Sequence, residues 1–177
     1  MDKAFMRVGG QPVIERTVQV LQTLFEEVIV VTNSPDKYRG LDGVKITRDR
    51  FVGLGPLAGF HAGLLQARYP YCFVVACDMP FIRPEPIAHL RSLICGYEAV
   101  VPFWDGDVEP LHAFYARSLA PVAEQLLQGG KGGLRDLLAF ARVRYVREEE
   151  LRTVPGVEEA FRNVNTPADA LRYAVEF

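Results

Sequence analysis

An apolar run that ends at a single carboxylate is the chemically most informative segment of the sequence. The run covers residues 74–76, Asp78 follows it, and Pro80 prevents a strand from continuing. A buried strand that ends in this way places one carboxylate at the carboxyl edge of a sheet, where open α/β sheets bind nucleotides. We therefore expect Asp78 to hold a magnesium ion that bridges substrate phosphates. The alternative is a carboxylate that only caps the turn after the strand.

A glycine-rich segment at residues 53–59 precedes a helix that begins at a proline. Glycines let backbone N–H groups approach a ligand closely, and the N-terminus of a helix favours anions. The alternative is a turn followed by close helix–sheet packing. The candidate nucleotide-binding residues of this segment are Gly55, Pro56, Leu57, Ala58 and Gly59.

Asp49 and Lys3 carry functional groups that could bind a nucleotide. The carboxylate of Asp49 suits a base, and the ammonium group of Lys3 suits a triphosphate. Asp49 follows a short predicted strand, and its carboxylate could accept hydrogen bonds from the N1–H and N2–H₂ edge of guanine. Adenine lacks both donors, so one aspartate could select the base. A surface charge paired with the flanking arginines is the alternative for Asp49. Lys3 could neutralise phosphate charge, although a lysine so near a terminus is usually just solvated.

Glu109 and Pro110 precede a predicted strand and could line a pocket for an acceptor molecule. His112 alternates with apolar neighbours along that strand, which favours a core histidine over a ligand. Lys131 lies in the glycine-rich run 129–133 and could meet an acceptor phosphate. This run is not a P-loop, because no Ser or Thr follows the lysine. A connection between two helices is the alternative.

Asn163 and Asn165 are two positions apart in a predicted extended segment, so their side chains point to the same side. Their amides could orient a phosphate or a metal-bound water. The alternative is a helix entry in which Thr166 is the N-cap before Pro167.

The elements that must position these residues alternate between helices and strands. Continuous apolar runs at residues 28–32 and 71–76 indicate strands buried on both faces, and 3.6-residue periodicity predicts helices between the strands. Asp105-Gly106 is a strong hairpin signal. We expect an α/β fold with three layers: a mostly parallel, doubly wound, Rossmann-like sheet with helices on both faces and an antiparallel edge hairpin.

Length and composition fit a single domain over residues 1–177. The 20 basic and 22 acidic residues give a net charge of −2, which favours neither a nucleic acid nor a membrane surface as partner. We expect the three cysteines, Cys72, Cys77 and Cys95, to be buried thiols, and we expect a cytoplasmic protein.

Taken in this order, the segments resemble the molybdenum cofactor guanylyltransferases, the family of molybdopterin-guanine dinucleotide biosynthesis protein A. The resemblance covers nearly the whole chain, and its most specific motif is the Asn-Val-Asn-Thr-Pro run at residues 163–167. The other motifs that carry the resemblance are Asp2-Lys3, Asp49, residues 55–59, Cys77-Asp78-Met79-Pro80 and Glu109-Pro110-Leu111.

The resemblance implies transfer of GMP from GTP to molybdopterin, with release of pyrophosphate and with Mg²⁺ as cofactor. It implies that Lys3 contacts the GTP phosphates, that Asp49 binds the guanine and that Asp78 binds the metal. Asn163 and Asn165 would organise the metal and the acceptor side. Molybdoenzyme chaperones are further implied partners.

Two departures from the family pattern affect these expectations. Thr32 stands where a base-contacting asparagine is often found, and Asn33 could replace it. The family also opens with a strand and a Leu-Ala-Gly-Gly phosphate loop ahead of its Asp-Lys pair, whereas Asp2-Lys3 stands at the start here. We therefore expect the first strand and loop to be missing, which would leave unpaired backbone groups in the sheet. The sequence then begins at an internal Met, is shortened, or belongs to a protein that lost the loop.

Two other functions are compatible with the sequence. The first is a related transferase that uses CTP or a sugar phosphate; Asp49 argues for guanine instead. The second is a domain without catalytic activity that binds a nucleotide or a molybdoenzyme chaperone.

Overall fold

Helices and strands alternate along most of the chain in the computed structural model, which describes residues 3–164, 169, 173, 175 and 176. The helices are α1 (Val13–Leu24), α2 (Pro56–Gln66), α3 (Pro84–Ser92), α4 (Ala120–Gln128), α5 (Leu134–Leu138), α6 (Glu148–Leu151) and α7 (Val157–Ala160). The strands are β1 (Arg7–Val8), β2 (Gln11–Pro12), β3 (Val28–Val31), β4 (Val44–Thr47), β5 (Tyr71–Val75), β6 (Ala99–Trp104), β7 (Asp107–Val108), β8 (His112–Ala116), β9 (Val143–Val146) and β10 (Val175–Glu176). The helix entry that the sequence offers as an alternative at Thr166 and Pro167 lies outside the described residues.

The described strands form three separate sheets. Strands β3 and β4 pair in parallel, from Val28 opposite Val44 to Val31 opposite Thr47. The largest sheet has the order β5-β8-β6, and both β7 and β9 pair with β6, β9 in parallel. A small antiparallel sheet has β1 between β2 and β10.

Both faces of the largest sheet are buried under helices. Val100 and Phe114 face one way and pack with residues of α3 and α7. Ala99 and Tyr115 face the other way and pack with residues of α2, α4 and α5. Because neighbouring residues of a strand point to opposite faces, this division confirms the predicted α/β fold with helices on both faces.

The Asp105-Gly106 turn is confirmed. Both residues have positive φ angles, 50° for Asp105 and 80° for Gly106, as a two-residue hairpin turn requires. The turn joins β6 to the short edge strand β7. Strand β8 is also antiparallel, but it lies inside the sheet between β5 and β6, a position that the sequence pattern did not predict.

The prediction of three buried cysteines is wrong for two of them. Cys77 and Cys95 are exposed, because they lie in turns after the apolar elements and not within them. Cys72 lies in β5 and is partly buried, which raises the pKa of its thiol to about 11. None of the described helices is long and apolar enough to cross a membrane.

Candidate functional site

Asp78 lies just beyond the carboxyl end of β5, as the sequence predicts. The β5–β8 ladder continues through the Ala76 N–H, which donates to the Leu111 carbonyl over 3.1 Å. The chain then turns, and Met79 is fully buried directly after the carboxylate. The strand on one side and this buried anchor on the other fix the backbone of Asp78, so its carboxylate is held at the edge of the sheet.

The structure brings Lys3 and Asn163 to Asp78. Lys3 Nζ lies 3.2 Å from Asp78 Oδ2, and both side chains remain partly exposed. The Val164 N–H donates to the Asp78 carbonyl over 3.1 Å, so the segment that contains Asn163 runs beside the strand end. Lys3 therefore meets Asp78 through its side chain, and the segment that contains Asn163 meets Asp78 through the main chain. Asn165 lies outside the described residues.

Asn33 and Asp49 form a second pair at the carboxyl ends of β3 and β4. Asn33 Nδ2 donates to Asp49 Oδ2 over 3.3 Å. The two residues meet because their strands are parallel neighbours, and the Thr32 N–H extends the ladder by donating to the Thr47 carbonyl. A Cβ atom added to Gly59 would lie 3.6 Å from Asp49 Oδ1, so α2 passes close to this carboxylate.

The glycine-rich segment before α2 has the expected turn geometry. Gly55 has a φ of 74°, and Pro56 is the first residue of the helix. The side chains of Leu57 and Ala58 are fully buried in the core, so only the backbone of these two candidates could contact a ligand. The exposed candidates of the segment are Gly55 and Pro56, while Gly59 is half-buried.

The two glycine-rich segments contact each other. The Leu57 N–H donates to the Gly132 carbonyl over 3.0 Å, so this helix-terminal donor already has a partner. A Cβ atom at Gly132 would lie 2.0 Å from the Leu54 carbonyl oxygen, a distance that no side chain could tolerate. The run 129–133 does join α4 to α5, and it also supports the loop before α2. Lys131 remains exposed within it.

Glu109 provides a second carboxylate close to Asp78. The pKa of Glu109 is raised, first by burial and then by the negative charges of Asp107 and Asp78. The backbone around Glu109 is fixed, because its N–H donates to the Pro102 carbonyl over 2.9 Å. Pro110 accepts a hydrogen bond from the Tyr115 hydroxyl over 2.7 Å. A bound cation would relieve the repulsion between Glu109 and Asp78.

His112 is a core residue, as the sequence favours. Its ring lies 5.0 Å from the Phe73 ring and 4.6 Å from the Phe161 ring, measured between centroids. Burial lowers the pKa of His112 to about 3, so the imidazole is neutral near pH 7. Neither ring nitrogen has a hydrogen-bond partner among the described residues.

The sequence analysis missed the contact between the two glycine-rich segments and the approach of residue 164 to Asp78. The paired glycines of the run 129–133 were a signal for close backbone contact, but they did not indicate the partner. Nothing in the sequence indicated the hydrogen bond from Val164 to Asp78.

A family model matches this chain. The model described as MobA-like NTP transferase domain matches residues 1–151. The chain belongs to this family. The family explains why acidic and lysine side chains gather at the carboxyl edge of the sheet, since its members transfer nucleotides.

Relatives of this MobA-like chain are similar to it over nearly its whole length. A protein of Pelotomaculum thermopropionicum named "Probable molybdenum cofactor guanylyltransferase" is 38% identical, and the alignment covers 98% of this chain and 84% of that protein. The molybdenum cofactor guanylyltransferase of Desulfosudis oleivorans is 34% identical, with 93% and 82% covered.

Solved structures agree with the family assignment. Molybdopterin-guanine dinucleotide biosynthesis protein A from Archaeoglobus fulgidus has a TM-score of 0.82 at 30% identity, covering 98% of this chain and 89% of that one. A 2-C-methyl-D-erythritol 4-phosphate cytidylyltransferase from Thermus thermophilus has a TM-score of 0.73 at 21% identity, covering 97% and 92%. The second likeness shows that the fold is shared by nucleotidyltransferases with other substrates.

Proposed function

We propose that this MobA-like transferase transfers GMP from GTP to molybdopterin or the molybdenum cofactor, forming the guanine dinucleotide and pyrophosphate. The observation that carries the proposal is the pairing of Lys3 with Asp78 at the carboxyl end of β5. A cation and a metal-binding carboxylate at one point are what a triphosphate requires. The names of relatives that are 34–38% identical support guanine as the base and molybdopterin as the acceptor.

The reaction is a substitution at phosphorus. An oxygen of the acceptor's terminal phosphate forms a bond to the α-phosphorus of GTP. The bond between that phosphorus and the oxygen that bridges to the β-phosphate breaks, and pyrophosphate leaves with the electron pair. No general base is needed, because a phosphate monoester is already largely ionised near pH 7.

The residues around Asp78 fit a magnesium ion. Among the described residues, no group of three or more His, Cys, Asp or Glu side chains could enclose a metal. Mg²⁺ does not need such a cage, since it is usually held by one or two carboxylates together with substrate phosphates and waters. Asp78 would hold the ion, and Glu109, whose pKa is raised partly by Asp78, would favour a cation nearby. Bound magnesium would neutralise charge on the phosphate oxygens.

Lys3 would neutralise the remaining phosphate charge. Its ammonium group already lies beside Asp78 and is partly exposed, so it can turn towards a phosphate without leaving a buried site. A solvated ion pair of this kind contributes little to stability, about 0.2–1 kcal/mol, and can rearrange at low cost.

Asp49 would select guanine. Oδ2 of Asp49 accepts the hydrogen bond from Asn33, which leaves Oδ1 and further lone pairs for the N1–H and N2–H₂ groups of the base. Asn33 would therefore orient the carboxylate. The backbone of Gly55, Pro56, Leu57, Ala58 and Gly59 would pack against the nucleoside.

The acceptor would bind on the side of Glu109, Pro110 and Asn163. The exposed ammonium group of Lys131 would meet an acceptor phosphate, with Asn163 and Asn165 orienting the acceptor near the metal. Molybdoenzyme chaperones as partners and a cytoplasmic location stay predictions from the resemblance.

Calorimetry of GTP binding in the presence of magnesium tests the proposal, with ATP and CTP as controls. We expect GTP to bind and the controls to bind at least tenfold more weakly. A preference for CTP would favour a cytidylyltransferase. No binding of any nucleotide to a cooperatively folded sample would favour a domain without transferase activity. Selective GTP binding would then justify an assay of guanine dinucleotide formation with molybdopterin.

A further inference from the structure

A small polar cavity lies between helix α1 and the segment that follows Asp78. Its volume is about 170 Å³. Pockets for drug-sized ligands begin at roughly 300 Å³, so this cavity suits a small chemical group and not a whole nucleoside. In this described lining Arg16 is the one charged residue, and no carboxylate balances it. The lining residues are Gln11, Arg16, Gln19, Val20, Pro80 and Ile82.

The cavity lies on the side of α1 that faces away from the parallel strands β3 and β4. Successive residues of a helix are rotated by about 100°, so Arg16 and Gln19 project roughly opposite to Ile14 and Val18. Ile14 and Val18 pack with residues of β3 and β4. The cavity is therefore bounded by α1 and the segment 80–82, and not by the edges of strands β3 and β5.

Arg16 is a partly buried cation without a partner among the described residues. Its Nε atom is buried and has no hydrogen-bond acceptor there. Its guanidinium group forms no ion pair with a described carboxylate. The other described arginines that lack both an ion pair and a hydrogen bond are exposed to water. Burying a donor of a charged group without an acceptor is unfavourable, so this position favours an anion beside Arg16.

One wall of the cavity is rigid. Ile82 and Pro80 are buried, and Met79 beside them is fully buried. The ring of Pro80 also fixes its φ angle. Because this wall is ordered before a ligand arrives, binding does not have to order it. The same segment begins at Asp78, so the cavity borders the backbone that holds that carboxylate.

We propose that this cavity binds a small oxyanion, a phosphate or carboxylate group, through Arg16. The Nε–H and one Nη–H of a guanidinium group lie side by side and can donate together to two oxygens of one anion. The side-chain amides of Gln11 and Gln19 line the same cavity and can donate to further oxygens. A neutral ligand could accept these hydrogen bonds but would leave the positive charge without a partner.

This anion site differs from the Lys3–Asp78 pair in its chemistry. Lys3 Nζ lies 3.2 Å from Asp78 Oδ2, so a phosphate there must share the place with a carboxylate and needs a metal ion. None of the residues that line the cavity at Arg16 is acidic. Anion binding at Arg16 therefore requires no metal ion, and it does not depend on which nucleotide binds beside Asp78.

NMR of the arginine side chains during titration with inorganic phosphate or acetate tests the proposal. The buffer is metal-free Bis-Tris chloride at constant ionic strength, and loss of a signal in Arg16→Gln assigns the Arg16 Nε–H. We expect this signal to shift saturably with phosphate, acetate or both, while the signal of exposed Arg147 does not saturate. Saturation by phosphate alone would identify a phosphate site, and saturation by acetate alone a carboxylate site. Equal shifts at both arginines without saturation would show a general salt effect and overturn the proposal.

Matched variants locate the anion by calorimetry with the probe that saturates the signal. Arg16→Gln removes a charge without breaking a described ion pair, so it should fold, and Arg147→Gln makes the same change at an exposed arginine. We expect binding to be at least about tenfold weaker in Arg16→Gln and unchanged in Arg147→Gln. Lys3→Gln should also leave it unchanged. Loss of binding in Lys3→Gln but not in Arg16→Gln would overturn the proposal and assign the anion to the nucleotide site.

Discussion

Lys3 Nζ lies 3.2 Å from Asp78 Oδ2, which joins the first described residue of the chain to the carboxyl end of β5. The side chains are 39% and 26% exposed, so water screens their attraction and the pair adds little to stability. An ion pair that is partly solvated, at a sheet edge where nucleotides bind, suits a role in binding better than a role in folding.

Replacing Asp78 by alanine should therefore separate function from stability. We expect Asp78→Ala to abolish magnesium-dependent GTP binding and guanylyl transfer, because the metal loses its carboxylate ligand. The free energy of unfolding should change by less than about 1 kcal/mol, since the lost ion pair is exposed. Calorimetry and chemical denaturation measure the two quantities. Asp36→Ala, which removes an exposed aspartate paired with Arg39, is the control and should leave both unchanged. Near-normal transfer by Asp78→Ala would remove this residue from the metal site.

Asp49 offers a test of base selection. Asp49→Asn replaces one acceptor oxygen by an amide group, so one guanine donor loses its partner. We expect the preference for GTP over ATP to fall by roughly 1–3 kcal/mol. Competition binding with both nucleotides measures the change. Asp42→Asn alters an exposed carboxylate and serves as the control. An unchanged preference would show that Asp49 does not contact the base.

The sequence was sufficient to predict the residues at strand ends. Asp78, Asn33 and Asp49 each follow a predicted strand, and the rule that open α/β sheets bind ligands at the carboxyl ends of their strands indicates this position for each of them. The Asp105-Gly106 turn was predictable for a similar reason, because only a few residue pairs adopt its φ angles. These features depend on the residue types in a short segment and on the spacing of apolar residues along the chain.

Long-range packing was not predictable in the same way. The close approach of Gly132 to Leu54 joins two loops that are far apart in sequence, and glycine indicates a close contact without identifying its partner. The interior position of β8 depends on which strands pair, and periodicity does not encode pairing. The burial of Leu57 and Ala58 follows from the way α2 packs on α4.

The Gly132–Leu54 contact predicts a strong effect of a single methyl group. A Cβ atom at residue 132 would lie 2.0 Å from the Leu54 carbonyl oxygen, so Gly132→Ala must push the two loops apart. We expect a loss of about 1–3 kcal/mol in the free energy of unfolding, as for other overpacked sites, and weaker GTP binding. Chemical denaturation measures the free energy of unfolding, and calorimetry measures GTP binding. Gly40→Ala, where no atom lies within 4 Å of the added carbon, should change neither. Equal stability of the two variants would contradict the close contact.

His112 predicts how stability depends on pH. Its pKa is about 3 in the folded protein, because burial disfavours the charged imidazole, and near 6.5 in the unfolded chain. Below pH 6.5 the unfolded state therefore binds more protons, and the free energy of unfolding falls as the pH decreases towards 3. Between pH 6.5 and 5 the loss from this residue is about 2 kcal/mol.

Replacing His112 by leucine should remove that part of the pH dependence. Neither ring nitrogen of His112 has a partner among the described residues, so His112→Leu leaves no hydrogen-bonding group unsatisfied and should fold. Urea denaturation at several pH values compares the variant with the wild type. His61, whose pKa is also lowered by burial, acts in the same direction in both proteins and cancels in the comparison. Above pH 6.5 we expect the curves of unfolding free energy against pH to have the same slope in both proteins. On lowering the pH to 5, we expect the wild type to lose about 2 kcal/mol more unfolding free energy than the variant. Parallel curves over the whole range would show that His112 takes up its proton over the same pH range in the folded protein as in the unfolded chain, and thus that its surroundings are not closed to water.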